Sequence, residues 1–212
     1  MKLTLEEKLY IYGKWNDYHL SILEGEILGD GCICSNGKNG AYHFSHATIS
    51  KEYEEYLIKN MPRGLFSENQ PYTCYPNIKN KNSKIYYKIS TNGFIDTIHE
   101  CYKRFYPEGE KSIPKDLVLN KVNCFHWYVG DGTNIKNGHS ATFCTNGFKK
   151  AEVELLISKF ESIDLYPKMR KCYRKEYDKN YYLINFLKDE TEKLLRWLGD
   201  SKIKFFRYKW GL

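Results

Sequence analysis

Two segments of this chain are apolar helical runs that close on the same triplet, Gly-Asp-Gly. The first is Leu23-Glu24-Gly25-Glu26-Ile27-Leu28-Gly29-Asp30-Gly31, and the second is Cys124-Phe125-His126-Trp127-Tyr128-Val129-Gly130-Asp131-Gly132. A doubled segment restricts the fold to one half-domain used twice, each presenting an acid at the foot of a helix. Helix termination accounts for Gly31 and Gly132. It does not account for Gly25, which sits in mid-helix, where Gly costs about 1 kcal/mol against Ala. Ser21, Gly25 and Gly29 lie four apart on one stripe, and Val122, His126 and Gly130 occupy the same offsets. A smooth stripe of this kind lets two helices approach along their ridges.

The rest of each half follows the same order. Thr4-Leu5-Glu6-Glu7 fits a capping box for a short helix, and Asn16 or Asp17 caps the next, which runs to about Gly29. Cys32-Ile33-Cys34 and 41–49 read as strands about a turn at 35–40, and Ser50 opens a helix that Pro62 and Gly64 end. Strands over 73–78 and 85–90 and a helix over 94–106 complete the half. The second half repeats this with Asn120 as cap, strands over 133–135 and 140–145, and a helix over 149–162. A strand pair over 169–173 and 181–187, a helix over 191–198 and a basic aromatic tail over 202–210 follow. Each half reads helix, two strands, helix, two strands, helix. The expected division is 1–110 with a motif helix over 17–31, a linker over 111–118, and 119–212 with a motif helix over 120–132.

No stretch of the 212 residues approaches the roughly 20 apolar positions of a membrane span. The first turn is acidic and lacks a signal-peptide core, so a soluble intracellular protein of cytoplasm, nucleoid or organelle matrix is expected, with no membrane partner. Lys and Arg outnumber Asp and Glu by 33 to 26, a modest excess that permits nucleic-acid binding. Two clusters concentrate it: Lys79, Lys81, Lys84 and Lys88 among asparagines and tyrosines, and Lys168, Arg170, Lys171, Arg174 and Lys175. A solvated face explains either cluster equally well. Seven cysteines without a Cys-x-x-Cys pair exclude a zinc ribbon or disulfide framework and read as reduced, mostly buried thiols. His43-x-x-His46 falls on a strand that points the two rings to opposite faces, and His126 reads as helix packing.

With these residues in place, the chain resembles the LAGLIDADG homing endonucleases of the single-chain, two-motif kind. Leu23, Gly25, Ile27, Asp30 and Gly31 match the first motif, and Asp131 and Gly132 the second. Ile113-Pro114-Lys115-Asp116-Leu117 and Thr145-Asn146-Gly147-Phe148 are similar to the linker and to the strand-to-helix step of such enzymes. Glu26, Leu28 and the bulky His126 depart from the pattern. The resemblance implies an α+β fold of two pseudo-symmetric αββαββα halves. Each is an antiparallel saddle with helices on one face, and the motif helices pack at a central pseudo-two-fold axis. It implies a monomer that carries an internal pseudo-dimer. It also implies that the carbonyls of Gly29 and Gly130 join the acids as metal ligands.

Hard oxygen ligands suit Mg²⁺, which needs only one or two carboxylates beside phosphates and water. Asp30 and Asp131 are therefore the expected catalytic and metal-binding acids, with Mn²⁺ or Ca²⁺ as substitutes and Ca²⁺ expected not to support cleavage. Lys188 and Asn146 are candidates to balance charge or order water in the second half, with Lys88 and Ser50 as their counterparts in the first. Candidate DNA contacts are Lys38, Asn39, Ser45, Lys79, Lys81, Lys84, Lys88, Lys136, His139, Thr142, Arg170 and Arg174. Alternation along a strand leaves open which set faces outward. Two saddles of roughly 33 Å each would span roughly twenty base pairs.

The leading expectation is thus a sequence-specific endonuclease that makes a staggered double-strand break for intron or mobile-element homing. The alternatives are an intron RNA maturase, whose partner would be the host intron RNA, a non-cleaving DNA-binding protein, and an element that folds but no longer acts.

Overall fold

A computed structural model describes residues 15–35, 41–75, 84–92, 95–135, 140–175 and 178–211. The predicted first helix and the turns at 36–40 and 136–139 lie outside them, as do Lys38, Asn39, Lys79, Lys81, Lys136 and His139. The chain divides into two compact units, one through Tyr102 and one from Lys103.

The first unit opens with α1 (Asp17–Leu28), whose first turn is closed by the Asn16 side chain accepting from the His19 N–H. Strands β1 (Cys32–Ser35) and β2 (Tyr42–Thr48) follow. Helix α2 (Lys51–Asn60) is capped by Ser50, then come β3 (Tyr72–Cys74), β4 (Tyr86–Ser90) and α3 (Asp96–Phe105), which runs across the boundary. The strands form one antiparallel sheet in the order β1-β2-β4-β3. β3 ends its pairing at Lys88, and beyond it the Gln70 side-chain amide bonds both the N–H and the C=O of Ser90, at 2.6 and 2.7 Å.

The second unit repeats this with α4 (Lys121–Asp131), β5 (Gly132–Ile135), β6 (Ser140–Phe143), α5 (Lys150–Glu161), β7 (Lys168–Arg174), β8 (Lys179–Phe186) and α6 (Lys188–Leu198). Its sheet order is β5-β6-β8-β7, the same topology. Asn120 and Asn123 form a reciprocal capping box at the start of α4. A 3-10 helix (Lys204–Trp210) closes the described chain.

One anchor recurs in both sheets. The Thr91 hydroxyl accepts from the Phe44 N–H at 3.0 Å, and the Thr191 hydroxyl accepts from the Ala141 N–H at 2.8 Å. The predicted linker is no free tether. Ile113, Leu117 and Leu119 are buried, and the Lys159 ammonium donates to the carbonyls of Lys115 and Leu117 at 2.8 and 2.6 Å. Apolar residues at alternate linker positions give it a core of its own to join.

Candidate functional site

Each motif helix ends by turning directly into a strand, and the acid stands at that step. In the first unit, Ser21 through Gly29 are buried and Asp30 is exposed. The Gly31 N–H reaches back to the Glu26 carbonyl at 2.8 Å. A Cβ on Gly31 would lie 2.8 Å from that oxygen and 2.7 Å from the Phe44 ring. In the second unit, a Cβ on Gly132 would overlap the Tyr128 ring and carbonyl, while φ there is −76° and ψ 144°, ordinary extended backbone. The glycines are therefore required by close approach and not by a left-handed helix end. Asp131 is half-buried, and its carbonyl accepts from the Cys144 N–H at 3.0 Å.

Among the described residues no three His, Cys, Asp or Glu side chains gather where they could hold a metal ion. One carboxylate beside the carbonyl of the preceding glycine is a hard oxygen pair, which fits Mg²⁺ or Ca²⁺ when phosphate and water supply the remaining ligands.

Strand register locates the basic candidates. Asp30 precedes the Cys32↔Ser45 pair by two residues, which sets it level with Ala47 and so with Lys88. Lys88 is exposed, and its ammonium, after burial, is the second cause holding the His43 imidazole below its ordinary range. Asp131 lies one step beyond the Gly132↔Phe143↔Ile184 level, on the side away from Ala141↔Phe186. Lys188 is exposed and starts α6 beyond Phe186, so it leaves the sheet at the end opposite Asp131. The position equivalent to Lys88 is the buried Leu183. Asn146 is half-buried in the turn from β6 to α5, closed by the Phe148 N–H on the Thr145 carbonyl. Ser50 is buried and caps α2 through the Tyr53 N–H, so helix capping accounts for it.

A cation absent from the sequence reading does reach the second acid's helix. The Lys209 ammonium is buried and donates to the carbonyls of Val129 at 2.5 Å and Gly130 at 2.8 Å. The Tyr128 hydroxyl donates to the Lys209 carbonyl at 2.9 Å, which ties the 3-10 helix to α4 from both directions. A positive charge at a helix C-terminus is favoured by the helix dipole. The signal was a lysine between aromatics, Tyr208-Lys209-Trp210, which composition alone reads as surface.

Behind the first acid lies a buried ionic cluster. His46 Nε2 is ion-paired with Glu26 at 3.2 Å, Nδ1 is hydrogen-bonded to Glu54 at 3.1 Å, and the Tyr53 hydroxyl donates to Glu26. Burial works against the imidazolium, but the carboxylates of Glu26, Glu54 and Asp30 outweigh it and raise the His46 pKa to about 9. Burial pushes Glu54 up, against the pull of His46.

Register also settles which strand faces are free of helices. His46 and Ile89 pair and are buried on the side of α2, so Cys32, Cys34, His43, Ser45, Ala47, Tyr72, Tyr86 and Lys88 belong to the other face. In the second sheet Phe143 and Ile184 are buried toward Phe160 of α5, which places Thr133, Thr142, Lys168 and Arg170 on the opposite face. Arg170 and Lys84 are exposed, as expected of contacts to a polyanion. Ser45 and Thr142 are buried on that face, and the Thr142 hydroxyl donates to Asn185 at 2.9 Å. Alternation alone could not foresee their burial. Lys168, placed by the sequence only in a basic cluster, lies on the same face of the second sheet, and the exposed Tyr72 and Tyr86 were missed as members of the first.

Comparison with known proteins agrees with this fold. The model of the LAGLIDADG DNA endonuclease family matches residues 20–194. An uncharacterized protein of Methanocaldococcus jannaschii is 32% identical over 148 residues, covering 66% of this chain and 54% of that protein, so the chain spans about half of that relative's length. A probable intron-encoded endonuclease of Wickerhamomyces canadensis is 26% identical over 200 residues, covering 88% of this chain and 81% of that one. Among solved structures, the homing endonuclease I-WcaI bound to its DNA recognition sequence superimposes with a TM-score of 0.76 at 21% identity, covering 97% of this chain and 91% of its own. The complexes of I-DmoI with DNA and Ca or Mn give TM-scores of 0.51 and 0.50 at 13% and 14% identity, covering 87% and 89% of this chain and 91% and 100% of theirs.

Proposed function

The chain belongs to the LAGLIDADG DNA endonuclease family, and we propose that it makes a staggered double-strand break at a long, specific DNA target by Mg²⁺-dependent hydrolysis, in the service of intron or mobile-element homing. The observation that carries this reading is the repeated helix-to-strand step. Both units hold an acid there, followed by a glycine whose Cβ would strike the helix it has just left. Two acids match the two strands of a duplex.

Hydrolysis forms a bond from a water oxygen to phosphorus and breaks the bond from phosphorus to the leaving oxygen, which takes up a proton. A divalent ion, when bound, supplies an activated water and neutralises charge on the leaving oxygen. Asp30 with the Gly29 carbonyl, and Asp131 in the second unit, are the residues that would hold it; the Gly130 carbonyl already accepts from the Lys209 ammonium. The chain's own contributions are otherwise positional. Lys88, level with Asp30 on the helix-free face, offers a cation to a phosphate oxygen as charge develops. Lys209 fixes the Gly130 carbonyl, and with it the backbone that carries Asp131. The exposed Arg170 and Lys84 supply charge to the DNA backbone. We further propose that the protein acts as a monomer and that its target lies at an exon junction.

The test is to incubate the full chain with randomised duplex DNA and Mg²⁺ and to sequence the ends. One cleaved site is expected, lost on adding EDTA. Asp30→Asn and Asp131→Asn should each lower double-strand cleavage by at least about a thousandfold while binding persists. Cleavage that survives both substitutions together would overturn the reading.

A further inference from the structure

On the helix-free face of the first sheet, the Cys32 and Cys34 sulfurs lie 3.4 Å apart, neither joined in a disulfide and both half-buried. We propose that these two form a peroxide-sensitive dithiol, a modification site whose oxidation to a Cys32–Cys34 disulfide distorts β1. The inference stands on thiol geometry and does not depend on the DNA reading, although it names a route by which that activity would be regulated.

Three observations support it. First, the pair is already in contact. Closing a disulfide from 3.4 Å requires the sulfurs to approach by roughly 1.4 Å. Second, the fold does not need thiols here. The equivalent positions after the second motif are Thr133 and Ile135, in a strand with the same pairing. Third, the location couples the bond to the site. Positions two apart in a strand are separated by about 6.8 Å, the upper limit that a disulfide spans. Closing it must therefore shorten β1, which pulls against the Cys32↔Ser45 and Cys34↔His43 register. β1 begins two residues after Asp30.

The chemistry balances with peroxide as oxidant. One sulfur attacks a peroxide oxygen and breaks the O–O bond, giving a sulfenic acid and one water. The second sulfur displaces the hydroxyl from the sulfenic acid, giving the disulfide and a second water. Both thiol protons end in water, and two electrons pass from the sulfurs to the peroxide.

The experiment treats the folded full chain with hydrogen peroxide, alkylates the remaining thiols, and maps peptides by mass spectrometry before and after reduction. The expected result is loss of two of the seven thiols as a Cys32–Cys34 disulfide, reversed by dithiothreitol. Cys32→Ser and Cys34→Ser should each abolish it. Amide exchange in residues 32–35 and 42–45 should rise at least tenfold on oxidation and stay at the parent rate in the treated serine variants. Retention of all seven thiols, a disulfide between any other pair, or oxidation that stops at a single sulfenic acid would overturn the proposal. If cleavage itself is never found, the thiol result stands or falls unchanged.

Discussion

Where the first half buries two glutamates and a histidine behind its motif helix, the second half buries aromatic rings. The positions correspond. Glu26 and Trp127 each lie four residues before the motif acid, and His46 and Phe143 lie opposite the glycine that follows it. Trp127 and Phe143 pack with ring centroids 4.4 Å apart and continue to Phe160 and Phe186. The repeat therefore preserves the backbone step and the threonine anchors, and leaves open what fills the space behind them. The two solutions differ in kind. Truncating an aromatic cluster costs the packing removed and the cavity left behind, without stranding a charge. A buried ionic cluster is coupled, because taking one partner away strands the others' charge.

The largest effect that separates the halves is expected from truncation. His46→Ala leaves Glu26 and Glu54 facing each other without a cation and should cost about 3–5 kcal/mol. Phe143→Ala should cost a similar 3–5 kcal/mol through the cavity it opens. The comparison is sharpened by where the loss appears. Hydrogen exchange should accelerate in β1 and β2 for the first variant and in β5 and β6 for the second, and the reverse pattern would break it.

Next in size is pH. The folded His46 pKa of about 9 stands above its ordinary 6.5, so the stability it contributes is complete below pH 6.5 and lost as pH rises through 9. That loss is about 3 kcal/mol. Denaturant unfolding between pH 6 and 10 should show it in the parent and in Phe143→Ala, and should lack it in His46→Ala.

Smaller effects are expected where the halves agree. Gly31→Ala and Gly132→Ala should each cost about 1–3 kcal/mol by overpacking, with Gly132 the more sensitive because its neighbour is the closer. Thermal unfolding of the two variants reads the difference, and an Ala tolerated at either place would show that the steps are not equivalent.

Much of this was legible in the sequence, because the signals were local. Asn16, Ser50 and Asn120 announce helix starts, and the two Gly-Asp-Gly steps fix the repeat. What escaped depends on partners distant in the chain. His46 meets carboxylates at positions 26 and 54, so strand alternation could place its ring inward without saying what it met. Helix α6 starts at Lys188 rather than Thr191, because no capping side chain marks its entry. Thr191, which looked like a start, is instead buried and bonded to the sheet. Five of the seven cysteines are half-buried rather than buried, and the Cys32–Cys34 contact follows from side chains leaning along one strand. Lys209 looked like one more surface charge in a basic tail, and only the packing of that tail turns its ammonium onto α4.

The Gln70 side chain has a consequence for how this protein behaves in a crowded solution. Past the end of β3, the outer edge of β4 would expose an N–H and a carbonyl at Ser90, the two groups a visiting strand needs to dock. A single amide already holds both. It serves as a plug one residue long between the β3 pairing and the Phe66–Thr91 bridge, and it leaves a visiting strand no open group at that step of the edge.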